Sequence, residues 1–358
     1  MKRNLVGLLL VLLMLVVGAV SADEHDSATV NLGGNDELGI FLVGPDGMTL
    51  YMFANDEPGV SNCTGQCLEN WPPLTVEEDE LPTLADGISG RLGVVTLDDG
   101  TRVVTYNGMP LYYWINDIEP GDATGHLVGD VWFVVPMPTV GLAGNDELGD
   151  FLVGPDGMTL YTFANDEPGV SNCTGGCLEN WPALTVDDEM ALDVQPGLVG
   201  EFDVIEREDD GSMQVTLNGM PLYYWINDIE PGDATGHEFN DVWFVATVPT
   251  LAVAENEELG EILVGGDGMT LYTFANDEAG VSNCVDGCAV NWPPLTVTSD
   301  EQIMVMDDVS GELGTIERED GSLQVTYDGM PLYFWVRDVI PGDTTGHEFN
   351  DVWFVAQP

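Results

Sequence analysis

One short motif occurs six times in this chain of 358 residues, and its spacing constrains the fold more than any other feature. Each copy places an aromatic residue two positions after a tyrosine, an aspartate five positions after it and a tryptophan twenty positions after it. The copies are Tyr51, Phe53, Asp56 and Trp71; Tyr112, Trp114, Asp117 and Trp132; Tyr161, Phe163, Asp166 and Trp181; Tyr223, Trp225, Asp228 and Trp243; Tyr272, Phe274, Asp277 and Trp292; and Tyr333, Trp335, Asp338 and Trp353. A recurring ungapped spacing indicates that one small structural unit was duplicated.

The six units alternate between two kinds, so the larger repeat is a pair of units. The first unit of each pair carries two cysteines and the second carries one histidine: Cys63, Cys67 and His126; Cys173, Cys177 and His237; and Cys284, Cys288 and His347. A repeat of about 107 residues is long enough to bury its own core. The sequence therefore predicts three tandem domains at residues 32–138, 142–249 and 253–358, called here pair 1, pair 2 and pair 3.

Residues 1–22 are predicted to be a cleavable signal peptide. Lys2 and Arg3 precede an apolar run over residues 5–20, and Val20-Ser21-Ala22 fits a signal-peptidase site. The absence of a cysteine near this site argues against a lipid anchor there. We expect no membrane-spanning segment after cleavage, a secreted or extracytoplasmic protein, and oxidised cysteines.

The charge of the chain narrows the class of partner. Beyond residue 22 the sequence has 63 acidic residues against five arginines, no lysine, and a formal charge of −58. Nucleic acid and anionic membranes would be repelled by such a surface. We expect an extracellular partner that is cationic or neutral.

Turn signals and short apolar runs predict an all-β fold. Residues 38–43 and 48–53 flank a Gly-Pro-Asp-Gly turn, and residues 103–106 and 109–114 flank Asn-Gly, so each set reads as a hairpin. Further strands are predicted at residues 74–76, 92–97 and 131–135, with one helical turn at residues 65–71. Isolated hairpins cannot bury their faces. The expected architecture is three tandem small β-sandwich or barrel-like domains, each an internal duplication of a roughly three-stranded unit.

The motif predicts that its aromatic residues belong to the hydrophobic core and that its aspartate stabilises a turn. In a strand, Tyr51 and Phe53 point to one face while Leu50 and Met52 point to the other, which suits a strand buried on both sides. Asp56 falls where the strand ends, so its carboxylate is expected to accept backbone N–H groups and fix the turn. The tryptophan is expected to return and pack on the tyrosine and its aromatic neighbour.

These strings resemble one known family. Leu50-Tyr-Met-Phe-Ala-Asn-Asp56, Asn62-Cys-Thr-Gly-Gln-Cys67 and Pro110-Leu-Tyr-Tyr-Trp114 are similar to the secreted-repeat family described as predicted lipoproteins with a Yx(FWY)xxD motif. The resemblance covers about residues 32–358. It implies export and a small repeated β module, and it supplies no catalytic residues.

The cysteines admit two interpretations. Each Cys-x3-Cys pair is expected to close a short local disulfide, because the chain is exported. Alternatively, two thiolates and one histidine per domain form a ligand set suited to copper, similar to that of Sco-type copper chaperones. The copper alternative requires His126, His237 and His347 to approach the reduced sulfurs.

Calcium is a weaker inorganic candidate. Asp117, Glu119 and Asp122 share one Pro-Gly loop, and pair 2 repeats that pattern with Asp228, Glu230 and Asp233. Such loops supply the oxygen ligands that Ca²⁺ prefers.

No motif predicts catalysis. The chain has no nucleophile context such as Gly-x-Ser-x-Gly and no phosphate-binding glycine loop between a strand and a helix. The sequence therefore predicts an exported, non-enzymatic binding or structural module at the cell surface or outside the cell. The alternative is an extracytoplasmic copper-binding or redox protein.

Overall fold

The computed structural model describes residues 28–35, 37–78, 80–145, 147–299, 303–306 and 309–358. The predicted signal peptide lies outside these residues. The predicted all-β class is confirmed, because strands account for most of the regular structure and the described helices are single short turns.

The strands of pair 1 form three small antiparallel sheets. Ladders join β1 to β2, β3 to β7, and β5 to both β4 and β6. Single bridges connect these ladders, among them Phe41 to Pro136, Val43 to Thr49 and Tyr51 to Tyr112. The strands are β1 Asn31–Asn35, β2 Gly39–Val43, β3 Tyr51–Phe53, β4 Leu92–Thr96, β5 Arg102–Tyr106, β6 Met109–Pro110 and β7 Trp132–Val134.

Pairs 2 and 3 repeat this pattern with one extra short strand each, β11 and β19, beside the central hairpin. In pair 2 the strands are β8 Gly141–Asn145, β9 Gly149–Val153, β10 Tyr161–Phe163, β11 Thr185–Val186, β12 Phe202–Glu206, β13 Met213–Leu217, β14 Met220–Pro221 and β15 Trp243–Val245. In pair 3 they are β16 Leu251–Asn256, β17 Gly260–Gly265, β18 Tyr272–Phe274, β19 Thr296–Val297, β20 Leu313–Glu317, β21 Leu323–Tyr327, β22 Met330–Pro331 and β23 Trp353–Val355.

Two short α-helices each begin one residue before the second cysteine of a pair, α1 Gln66–Asn70 and α2 Gly287–Asn291. Single 3-10 turns lie at Val128–Asp130, Gly175–Cys177, Glu189–Ala191 and Phe349–Asp351. In the described part of the chain, no helix has the length and apolar character needed to cross a membrane.

The two halves of each pair meet at a pseudo-twofold axis. Tyr51 N donates to Tyr112 O at 2.8 Å, and Tyr112 N donates back to Tyr51 O at 3.0 Å. The same reciprocal bonds join Tyr161 to Tyr223 and Tyr272 to Tyr333. Equivalent tyrosines therefore face each other across the axis, as expected for a duplicated unit.

Two hydrophobic clusters lie on opposite sides of the extended segment at residues 50–53, which contains Tyr51. Leu50 and Met52 pack into an aliphatic cluster. Tyr51 and Phe53 pack into an aromatic cluster with Trp71. This division follows the alternation of side chains along a strand. Pairs 2 and 3 each contain a corresponding set of two clusters.

The predicted hairpins are realised to different extents. β5 and β6 pair around Asn107 and Gly108, whose φ angles of 47° and 82° match the left-handed turn that Asn-Gly favours. By contrast, the segments on either side of residues 44–47 share only the Val43–Thr49 bridge, because β2 pairs mainly with β1. β1 itself was not predicted, since its glycine-rich sequence carries no strand pattern.

Candidate functional site

The polar groups of the motif bond across the pseudo-twofold axis. Tyr51 Oη donates to Asp117 Oδ2 at 2.6 Å, and Tyr112 Oη donates to Asp56 Oδ2 at 2.7 Å. The other pairs repeat the crossing with Tyr161–Asp228, Tyr223–Asp166, Tyr272–Asp338 and Tyr333–Asp277, all at 2.6 to 2.7 Å. A tyrosine and the aspartate five residues after it therefore belong to different hydrogen bonds.

The second oxygen of each aspartate holds the loop that follows it. Asp56 Oδ1 accepts the backbone N–H of Asn62 at 2.6 Å. Asp117 Oδ1 accepts both the N–H of Thr124 at 2.9 Å and its hydroxyl at 2.6 Å. The corresponding partners of the other aspartates are Asn172, Thr235, Asn283 and Thr345. The carboxylates thus fix the turns, as the motif pattern predicts.

The motif tyrosines and aspartates are buried, and burial changes their pKa values. The six tyrosines are 0% exposed and the six aspartates 7–8% exposed. Burial raises the pKa of Asp338 to about 6, and raises the pKa values of Asp56, Asp166, Asp228 and Asp277 above their ordinary range. Burial, together with the adjacent carboxylate, also raises the pKa of each motif tyrosine. The tyrosines consequently remain protonated donors over the physiological range.

Four aromatic rings form a continuous stack beside the crossed bonds. In pair 1 the order is Phe53, Trp132, Trp71 and Trp114, with successive centroid distances of 4.4, 3.8 and 4.2 Å. Tyr51 lies edge-on to Trp71 at 5.3 Å. The stack alternates between the two halves, so each half needs the other to bury its tryptophan. Pairs 2 and 3 contain the same stacks, Phe163–Trp243–Trp181–Trp225 and Phe274–Trp353–Trp292–Trp335.

The cysteines of each pair are joined in a local disulfide. The bonds are Cys63–Cys67, Cys173–Cys177 and Cys284–Cys288. A serine two residues before each disulfide contacts one crossed pair: Ser61 Oγ lies 2.6 Å from Tyr112 Oη, and Ser171 and Ser282 make the same contact with Tyr223 and Tyr333. Each disulfide is therefore adjacent in the chain to a residue that bonds a motif tyrosine.

The histidines do not complete a metal site with these sulfurs. His126 Nδ1 accepts the backbone N–H of Val134 at 3.3 Å, and His237 and His347 make the same bond with Val245 and Val355. Among the described residues, no three His, Cys, Asp or Glu side chains are placed to hold a metal ion. The structure thus does not assemble the ligand set that the copper alternative requires.

The carboxylates of the candidate calcium loop are directed at the backbone. Asp122 Oδ2 accepts the N–H groups of Ile118 and Glu119 at 2.9 and 3.0 Å. Asp117 is bonded to Tyr51 and Thr124. Asp233 repeats the role of Asp122 in pair 2. The pattern that suggests a calcium loop in the sequence forms a hydrogen-bonded turn in the structure.

A buried polar network in pairs 2 and 3 was missed by the sequence interpretation. Arg207 is 3% exposed and donates to Gln214 Oε1 at 2.6 Å, Ser171 Oγ at 2.7 Å and the carbonyl of Cys173 at 2.8 Å. Arg318 donates to Gln324, Ser282 and Cys284 in the same way. In pair 1 these positions hold Leu97 and Val103. The Arg and the Gln occur together in pairs 2 and 3, and both are replaced in pair 1. This covariation between the repeats was the sequence signal that could have predicted their contact.

Comparison with known families agrees with this repeat structure. The family model described as a secreted repeat of unknown function matches residues 34–75, 93–136, 143–185, 204–247, 253–296 and 314–357. The chain belongs to this family of secreted repeats. No curated protein and no solved structure matches the chain. Each matched stretch holds one tyrosine and one aspartate of the motif, and the crossed bonds join neighbouring stretches. Two secreted repeats are therefore needed to satisfy the polar groups of one.

Proposed function

We propose that this protein is a non-enzymatic, extracytoplasmic module with a structural and binding role. One observation carries the proposal. The motif that occurs six times is the strongest chemical signal in the sequence, and its tyrosine and aspartate side chains make their hydrogen bonds inside the protein. Tyr51 and Asp117 satisfy each other at 2.6 Å, and Thr124 occupies the remaining carboxylate oxygen. A general acid or base must instead reach a reacting group on a bound substrate.

The extracytoplasmic location is supported by three independent features. The family is described as secreted. The cysteines are paired in disulfides, which persist in oxidising compartments. The first residues have the charge and apolar pattern of a signal peptide.

The proposed binding surface is acidic. The chain has a formal net charge of −56, and several of its few arginines are engaged internally. Arg207 is buried, Arg318 donates to Cys284, and Arg91 pairs with Asp267. The surface consequently presents mainly carboxylates, which favours cationic or neutral partners over nucleic acid.

Retention by cell envelopes tests this proposal. The purified chain lacking residues 1–22 is added at increasing concentration to envelopes from the source organism, and the sedimented fraction is measured. We expect saturable retention of the folded chain and its release by competing unlabelled chain. A heat-unfolded sample is the control. Retention that rises linearly without saturation, or no retention at all, would contradict a binding role.

A further inference from the structure

The three repeat pairs contact one another in every combination, so a junction lies between them. The contacts are the close approach of Gly87 to Gly157 for pairs 1 and 2, the hydrogen bond from Val199 N to Gly266 O for pairs 2 and 3, and the ion pair of Arg91 with Asp267 for pairs 1 and 3. A cavity of about 450 Å³ lies at this junction and takes lining residues from all three pairs. Small-molecule sites in proteins commonly have volumes of about 300–1,000 Å³.

The walls of the cavity are mainly apolar. Phe244 and Val248 come from pair 2, and Leu295, Val297 and Phe334 come from pair 3. These five residues are buried or half-buried. The apolar part of a ligand would therefore be removed from water between them, which favours binding.

The cavity is open to solvent at part of its lining. Asp150, Thr296 and Met304 line the cavity, and all three residues are exposed. A small ligand can consequently enter without displacing a core side chain.

Each pair contributes one charged side chain to the cavity. Among the described lining residues, the Asp, Glu, Lys and Arg side chains are Arg91 of pair 1, Asp150 of pair 2 and Asp267 of pair 3. Arg91 Nε donates to Asp267 Oδ2 at 2.6 Å, and the guanidinium carbon lies 4.7 Å from the centre of the Phe334 ring. Two carboxylates against one guanidinium leave the cavity with an excess negative charge.

The charge of Asp150 is only partly compensated by its surroundings. Desolvation by the surrounding protein raises the pKa of Asp150, and Asp267 raises it further, while Arg91 lowers it. His237 also lines the cavity, but its Nδ1 accepts the backbone N–H of Val245 at 3.2 Å, as in neutral imidazole. A cation bound in the cavity would therefore favour the ionised form of Asp150.

This charge cluster is particular to the junction and is not a property of the repeat. The strand registers place Arg91 at the position that holds Glu201 in pair 2 and Glu312 in pair 3. The same comparison places Asp150 at the position of Ile40 in pair 1. Duplication of the unit therefore does not account for the charges that meet at the cavity.

We propose that the cavity between the three pairs binds a small organic monocation with an apolar body. The walls bury the apolar body, and the carboxylate of Asp150 pairs with the cationic group. The chain as a whole has a formal net charge of −56, which attracts cations and repels anions. The inference rests on the proposed binding role and deepens it by naming a ligand class.

Three probes of similar size separate the effect of charge from that of apolar burial. They are 2-phenylethylammonium, 2-phenylethanol and phenylacetate, which are cationic, neutral and anionic at pH 7. Each probe is titrated calorimetrically into the purified chain lacking residues 1–22, in salt of about 0.15 M to screen general attraction to the acidic surface. We expect saturable binding of the ammonium probe at one site per chain, binding of the alcohol weaker by about tenfold or more, and no binding of the anion.

Four variants at equivalent positions of two pairs test the location of the site. Asp150→Asn removes the carboxylate from the cavity, and Glu261→Gln removes a carboxylate from the equivalent position of pair 3. Thr296→Trp fills the cavity from an exposed position, and Thr185→Trp adds the same side chain at the equivalent position of pair 2. Glu261 and Thr185 are not among the described residues that line the cavity, so they serve as matched controls.

The variants should differ in a defined pattern. D150N should weaken binding of the ammonium probe by about tenfold and leave binding of the alcohol unchanged. T296W should abolish binding of both probes, whereas E261Q and T185W should bind like the unmodified chain. Unfolding curves establish that each variant is folded, and if T296W does not fold, the comparison of D150N with E261Q decides alone.

Several results would overturn the cavity proposal. Equal weakening by D150N and E261Q would assign binding to the general acidity of the surface. Binding that survives in a folded T296W, equal affinity for the ammonium probe and the alcohol, or no saturable binding at millimolar concentration would also overturn it. A chain that cell envelopes retain but that binds no probe would contradict this inference alone, so its failure is distinguishable from failure of the proposed function.

Discussion

The hydroxyl of Tyr51 donates a 2.6 Å hydrogen bond to Oδ2 of Asp117, which lies 66 residues away in the other half of pair 1. The motif is therefore one half of a reciprocal bond that needs two repeats. Because both partners are buried and one is a carboxylate, each crossed bond stabilises the association of the halves by more than an ordinary surface contact.

A double-mutant cycle tests the crossing. Tyr51→Phe should lower the free energy of unfolding of pair 1 by about 2 kcal/mol, because Asp117 is left with an unsatisfied buried oxygen. Tyr51→Ala should cost about 3–5 kcal/mol, since the ring is part of the aromatic core. Measured by urea unfolding, Tyr51→Phe with Asp117→Asn should show a coupling energy of about 1 kcal/mol or more.

The control cycle combines Tyr51→Phe with Asp56→Asn, two residues of the same motif copy that share no hydrogen bond. Its coupling energy should be smaller than that of the crossed cycle. Stronger coupling between Tyr51 and Asp56 than between Tyr51 and Asp117 would contradict the crossed arrangement.

Local patterns could predict the elements but not their crossing. The Asn107-Gly108 hairpin and the separation of Tyr51 from Leu50 follow from turn chemistry and strand alternation, and both are observed. The spacing of the motif, however, is equally compatible with a bond between Tyr51 and Asp56. Tyr51 bonds Asp117 because the two halves of pair 1 pack around a twofold axis. The sequence of a single repeat does not reveal this pairing, since the two partners belong to different repeats. The close approach of Gly87 in pair 1 to Gly157 and Pro231 in pair 2 is another long-range contact that one repeat cannot reveal.

The Arg207 network should respond differently to single and double substitution. Arg207→Leu leaves Gln214 and the Cys173 carbonyl without their buried donor, so we expect a loss of about 3 kcal/mol in the stability of pair 2. Adding Gln214→Val reproduces the Leu97 and Val103 combination of pair 1 and should restore at least half of that loss. Chemical unfolding of the three chains measures this. A double variant less stable than Arg207→Leu would show that the apolar pair does not fit pair 2.

The burial of Asp338 should make pair 3 more stable on mild acidification. Its folded pKa is about 6, above the ordinary value of 3.8, so the folded state binds a proton more readily than the unfolded state between these values. The resulting stabilisation is fully present below pH 3.8 and is lost as pH rises through about 6. It amounts to about 3 kcal/mol at most. Calorimetric unfolding of the full chain at pH 4 to 7 should show this slope in the transition of pair 3, and the other buried aspartates with raised pKa values should add to it in the same direction.

Asp338→Asn should flatten that slope, while the exposed Asp99→Asn should leave it unchanged. Asp99 is a suitable control because hydrogen bonds from Thr101 lower its pKa, which places its titration below this window. A slope that is undiminished in Asp338→Asn would assign the pH dependence to the other buried aspartates or to the general loss of negative charge, and not to Asp338.

Reduction of the disulfides should act locally. Each bond closes a loop with a sequence separation of 4 residues, so the chain-entropy estimate gives a stabilisation of only about 2 kcal/mol. In pair 1 the affected segment runs from Ser61 to Trp71, where Ser61 contacts Tyr112 and Asn62 is held by Asp56. Amide hydrogen exchange of the reduced protein should therefore rise in this segment while β5 and the Tyr51–Tyr112 backbone bonds stay protected.

The double variant Cys63→Ser with Cys67→Ser should give the same exchange pattern in pair 1 alone, with pairs 2 and 3 as internal controls. Collapse of protection throughout pair 1 would mean that the disulfide, and not the crossed bonds with their aromatic stack, holds the two halves together.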